Sequence, residues 1–198
     1  IQADCRRAED CARVAQTVRH ELGGIDILIN NDGAPPLGPA LSFDDAAWGK
    51  AVEQNLMYVV RMAREVVPSM KERGGGSILN ITALSAIQPI PGLALSVATW
   101  GAVISYAKTL SLEIGEFGIN VNTICPGYID TTRLHKVFAV GEESPEIVKD
   151  RLAADVPMKR IGTPQDIANL VTLMVSPLGR YITGTTLQID GGLLRSVR

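Results

Sequence analysis

Four short apolar runs, each closed by a polar or glycine-rich turn, alternate with long helix-forming stretches through this chain of 198 residues. The first is Ile25-Asp26-Ile27-Leu28-Ile29, before Asn30-Asn31-Asp32-Gly33. The second is Ser77-Ile78-Leu79-Asn80-Ile81, after a triple glycine. The third, Asn120-Val121-Asn122-Thr123-Ile124-Cys125, stops at Pro126-Gly127, and the fourth, Thr185-Thr186-Leu187-Gln188-Ile189, stops at Asp190-Gly191-Gly192. Runs of this length that are mostly apolar read as strands buried on both faces, as parallel strands are. Parallel neighbours need a crossover, and the stretches between these runs supply one each time. The pattern therefore predicts an α/β fold: a Rossmann-like, doubly wound parallel sheet in a single domain covering residues 1–198.

The intervening stretches carry the 3.6-residue period. Cys11, Val14, Ala15, Val18 and Leu22 make one helical face, with Asp4 as its expected N-cap and Gly23-Gly24 as its stop. Val52, Leu56, Val59, Ala63 and Val66 make the face of a single long helix expected over 44–67, ended by Pro68. A third helix is expected over 95–117. Thr163-Pro164-Gln165-Asp166 has a cap, an early proline and an early carboxylate, and opens a fourth that ends at Ser176-Pro177. Residues 131–160 are charged and irregular with weak helical content, the composition of a mobile flap. The opening Ile1-Gln2-Ala3-Asp4 reads as the tail of a strand, so the domain is expected to be N-terminally incomplete.

Composition narrows the function classes. Hydrophobic residues make up 46% and charged residues 20%, enough for one sizeable core. A net charge of −2 leaves neither a basic footprint for nucleic acid nor a polybasic membrane patch, and no apolar run reaches the ~18 residues of a bilayer span. Cys5, Cys11 and Cys125 form no CxxC pair, and with only His20 and His135 beside them no metal-ligand cluster can be assembled by spacing. A cytoplasmic setting is expected.

In an open sheet of this kind, ligands sit beyond the carboxyl ends of the strands. The loops at 30–39, 81–95 and 125–138 occupy that place. Asn30-Asn31-Asp32-Gly33, the helical Asn55, the strand and loop of 75–86, Pro126-Gly127 with Thr131, and the terminal 181–192 together resemble, in order and spacing, the short-chain dehydrogenase/reductase family, in particular its 3-oxoacyl-acyl-carrier-protein reductase-like members. The resemblance implies NAD or NADP as cofactor. It places Asp4 near the adenine, Asn31 and Gly33 beside the adenosine ribose, and Pro126, Gly127, Ile129 and Thr131 along the nicotinamide. Asp32 stands where the family has Ala, a position where a carboxylate is tolerated if it faces water. No glycine-rich turn for a pyrophosphate follows a strand, and the family's first two βα units have no counterpart. Without them the strand at 25–29 is expected to have an unpaired edge, and the helix after Asp4 to lack its seat.

The same resemblance marks four catalytic positions, of which one is retained. Asn55 matches. Ala83 stands for the family's Ser, Ser96 for its Tyr, and Trp100 for its Lys. The lost types matter physically: a phenol near pKa 10 exchanges protons at neutral pH only when a fixed cation lowers it, and neither a Ser hydroxyl nor an indole reproduces that pair. Tyr58, Tyr106, Tyr128 and Tyr181 are followed four residues on by Met62, Leu110, Thr132 and Thr185, so no other Tyr-Lys pair replaces it. Tyr128 and His135 fall in the flap, within reach of a substrate, but a surface or packing role is the expected one for each. Two functions follow as expectations. One is an impaired family member acting as a structural or regulatory subunit in a homo- or hetero-oligomer, with an active relative as the candidate partner in the second case. The other is an NAD(P)-dependent oxidoreductase acting on a carbonyl or alcohol through a non-standard proton donor.

Overall fold

The computed structural model describes residues 1–196. Its elements run α1 (Ala8–Leu22), β1 (Ile27–Asn30), α2 (Asp45–Val52), α3 (Tyr58–Glu72), β2 (Gly76–Ile81), α4 (Ala94–Ile114), β3 (Ile119–Pro126), α5 (Thr132–Phe138), α6 (Pro145–Asp155), α7 (Pro164–Val175) and β4 (Thr186–Ile189). The four strands form one parallel sheet in the order β1-β2-β3-β4. This is the α/β, Rossmann-like arrangement that the alternation implies.

Strand register sorts side chains by face, because neighbours paired in a parallel sheet point the same way. Leu28, Ile78 and Val121 are in register and share one face, where α1, α3 and α4 cover them with Cys11, Val59, Val66 and Val103. Leu79 and Ile124 point the other way, onto Met174 of α7. One residue row nearer the carboxyl ends, Asn30, Asn80, Thr123 and Thr186 align, and the Asn30 amide donates to Asn80 Oδ1 at 2.8 Å. The core thus turns polar as it approaches the loops.

Several expectations are corrected. Asp4 is not the cap of α1. Arg7 takes that place without a side-chain bond, while the Asp4 carboxylate is held by Arg6 at 2.7 Å. Nor is α1 unseated, since it packs on α3 and buries Cys11 and Ala15. The helix expected over 44–67 runs unbroken through α2, a π-helical turn at Glu53–Met57 and α3, and it continues past Pro68 to Glu72. Burial of Val66, Ser69 and Met70 on one face, and the bond from Ile25 N–H to Ser69 Oγ at 3.1 Å, outweigh the amide that Pro68 lacks. The flap is likewise not irregular. Thr131 and Ser144 cap α5 and α6, which close over their own small core of Leu134, Val148, Leu152 and Ile161.

β1 has no second partner among the described residues, and its Ile27 and Ile29 are 46% and 43% exposed on the α7 side.

Candidate functional site

Beyond the carboxyl ends of the strands lies a cleft of about 590 Å³, walled by the loops after β1, β2 and β3 and by the start of α4. Asn31 and Gly33 come from the first loop, which is pinned by two bonds. The Asp32 N–H donates to the Tyr58 hydroxyl at 3.1 Å, and the Gly33 N–H donates to Asp32 Oδ1 at 2.7 Å. Asp32 is exposed, the orientation in which its charge is tolerated. Gly33 has φ +117°, and a Cβ there would overlap Asn55 Oδ1 and come within 2.6 Å of Trp100 Cζ2, so only glycine fits. Pro126 closes β3 opposite Ile189. A Cβ on Gly127 would come within 2.7 Å of Asp190, so this turn too admits glycine alone. Ile129 bridges to Gly162, and Thr131 Oγ1 accepts from the Leu134 N–H at 3.2 Å as the cap of α5.

The catalytic positions meet in the same cleft. Ala83 comes from the loop after β2, and Ser96 and Trp100 sit one turn apart on α4, on one face as residues four apart must be. Trp100 is 4% exposed and belongs to the main core, with the edge of its indole against Gly33. Asn55 lies in the π-helical turn beneath, fully buried. Its amide donates to Thr99 Oγ1 at 2.7 Å, and that hydroxyl donates in turn to Leu95 O at 2.7 Å. Asn55 Oδ1 has no partner among the described residues. The charged residues of the wall, among those described, are Asp32 and Arg133.

Asp4 does not line the cleft. Bonds from Arg6 lower its pKa to about 2. Burial pushes the Cys5 thiol up, with the charges of Asp32 and Asp4 adding to it. The alternative proton carriers lie elsewhere as well. The Tyr58 hydroxyl is spent on the Asp32 amide, and burial pushes its pKa far above the usual phenol value. Tyr128 packs edge-on against Phe138 at 5.2 Å, facing the flap's own core, and burial raises it too. His135 Nε2 is 2.8 Å from Asp130 Oδ1, on the side of α5 away from the cleft wall. The helices of the flap turn Tyr128 and His135 toward their own packing, the role expected of them.

Two residues of the site escaped the sequence reading. Thr99 holds the retained Asn55, and Arg133 spans from α5 to the first loop, donating to Pro35 O at 3.0 Å. For Arg133 the available signal was Thr131 itself, a residue suited to cap a helix and so to put position 133 on its first turn.

Six of the seven expected cofactor residues line this cleft, and the donor set decides what they can hold. A nicotinamide nucleotide reacting in the way the resemblance implies needs a cation at its ribose and a phenol at the substrate oxygen. Here an uncharged indole fills the first place and a short hydroxyl the second. The residues present do not fit that group in a reactive pose. A larger groove, about 860 Å³, lies at the opposite end of the sheet, but turns of glycine and Arg73, tied to Asp26 at 2.6 Å, dominate it.

Comparison with known proteins places this geometry. A family model described as enoyl-(acyl carrier protein) reductase matches residues 1–194. Nodulation protein G of Azospirillum brasilense is 34% identical over 192 residues, covering 97% of this chain and 75% of that protein. The 3-oxoacyl-[acyl-carrier-protein] reductase of Staphylococcus epidermidis is 31% identical over 193 residues, covering 98% and 76%. Among solved structures, the L-sorbose reductase of Gluconobacter frateurii, in complex with NADPH and L-sorbose, superposes with a TM-score of 0.94 at 30% identity, over 100% of this chain and 77% of the other.

Proposed function

Because the chain belongs to the short-chain dehydrogenase/reductase family, we propose that it is an oxidoreductase homologue impaired in catalysis, serving as a structural or regulatory subunit beside an active relative. The observation that carries this reading is Trp100, buried in the core against Gly33 at the place that calls for a cation. Proton exchange at neutral pH needs a group whose pKa is brought near 7. With Ala83 and Ser96 the cleft offers a methyl group and an unassisted hydroxyl, and no tyrosine, histidine or lysine is in its wall among the described residues. The four-stranded parallel sheet and the long helices support a scaffold role, since their packing does not use the lost groups.

The test is turnover of the purified protein with NADH and NADPH over a panel of ketones and aldehydes, beside fluorescence titration of each nucleotide. The expected outcome is no turnover above background and recovery of the protein from its source in a mixed oligomer with an active relative. A pure homo-oligomer with robust turnover would sink the proposal and favour a reaction that uses another proton donor.

A further inference from the structure

Two thiols meet where the chain turns into α1. Cys5 lies in the turn before the helix, and Cys11 lies on the helix's first turn. Two bonds fold the chain between them back on itself. The Asp4 N–H donates to Asp10 Oδ2 at 2.9 Å, and the Cys11 thiol donates to Cys5 O at 3.2 Å, so residues 4 and 5 run beside 10 and 11. The Arg7 N–H closes the turn onto Asp4 O at 2.9 Å. Both cysteines are free and both pack in the main core, Cys11 fully buried and Cys5 half-buried. Burial pushes both thiols up, and at Cys5 hydrogen bonding from the Cys11 side chain works against it. A helix start commonly sets two apolar side chains against each other at such a place, one before the cap and one on the first turn. Here both carry sulfur, which packing alone does not require.

We propose that Cys5 and Cys11 are an oxidisable pair, which hydrogen peroxide joins into a disulfide that ties the turn to α1. Side chains this close can be joined by rotation about their Cα–Cβ bonds, with the backbone left in place. Cys5, the more accessible, reacts first. Its sulfur attacks one peroxide oxygen: an S–O bond forms, the O–O bond breaks, and the departing hydroxide leaves as water with the proton that Cys5 gave up. The Cys11 sulfur then attacks the sulfur of the Cys5 sulfenic acid. The S–S bond forms, the S–O bond breaks, and the hydroxyl leaves as water with the Cys11 proton. The thiols lose two electrons and the peroxide gains them. Under reducing conditions the pair returns to thiols, so the link reports exposure to an oxidant. Neither cysteine lines the cleft, and the reaction is independent of turnover there. Cys125 lies apart in β3, buried, with its sulfur 3.1 Å from Thr82 Oγ1.

The experiment treats the reduced full chain with a moderate excess of hydrogen peroxide at about pH 8.5, where an ordinary thiol is half ionised. Free thiols are then blocked with iodoacetamide in denaturant, and the chain is digested with trypsin. Cleavage after Arg6, Arg7 and Arg13 separates residues 1–6 from residues 8–13. A bond between Cys5 and Cys11 therefore appears in mass spectrometry as one linked peptide from a monomeric chain, lost on adding dithiothreitol. Two of the three thiols should become unavailable to iodoacetamide, while Cys125 stays alkylated. Cys11→Ala should give no linked peptide and leave Cys5 as a sulfenic acid that dimedone traps. Should that variant unfold by circular dichroism, Cys5→Ala replaces it and must leave Cys11 reduced. The proposal is overturned if the wild type oxidises at Cys5 alone with Cys11 still alkylated. It is equally overturned if no thiol is lost, or if Cys5 is found linked to Cys125 or to a second chain.

Discussion

Trp100 carries two consequences that pull in opposite directions. As a large core side chain it stabilises the region under the cleft, and as an uncharged one it removes the means of lowering a neighbouring pKa. Truncation to Ala should therefore cost about 3–5 kcal/mol in urea unfolding, the range for a buried aromatic, without creating activity. A loss below about 1 kcal/mol would show that the indole is not packed as described. At this scale the sequence was informative about identity and poor about contacts. Ala83, Ser96 and Trp100 could be assigned because their offsets along the chain survive folding. The partner of Asn55, Thr99, lies 44 positions away, and Pro35, which meets Arg133, lies 98 away; no local pattern announces such pairs.

Helix ends decide matters that single residues cannot. The start of α7 is a capping box in which Thr163 and Asp166 each bond the other's backbone, with Arg160 on the same carboxylate. The bond from Arg160 and those from Thr163 hold Asp166 below the ordinary carboxylate range. A group whose folded pKa lies below its unfolded one stabilises above the unfolded value, near 4, and loses that contribution as pH falls through the folded value. Scanning calorimetry from pH 5 to 2 should show a falling melting temperature, and Asp166→Asn should flatten that slope while lowering the midpoint at pH 5. An unchanged slope would remove Asp166 from the account. Periodicity located α1, α4, α7 and all four strands to within a few residues. It stopped the second helix at Pro68 although α3 runs on to Glu72, and it missed α5 and α6 because their short faces are satisfied by each other.

The whole molecule is a sheet covered by three helices on one face and by α7 on part of the other. Such a body presents long helical surfaces for association, so co-expression with an active relative should yield a mixed oligomer by size-exclusion chromatography with mass analysis. Separate elution of the two chains would argue against the subunit role. What the sequence determined by itself was the α/β class, the parallel sheet, the loops that form the site and the absence from them of a phenol–ammonium pair. Those follow from local periodicity and from residue identity, which need no third dimension. Only the tertiary structure decided which packing Tyr128 and His135 turn toward, that Trp100 is sealed against Gly33, and that Arg133 reaches Pro35 O across the cleft. These depend on which faces of α4, α5 and α6 are buried, and burial is settled by contacts between segments far apart in the chain.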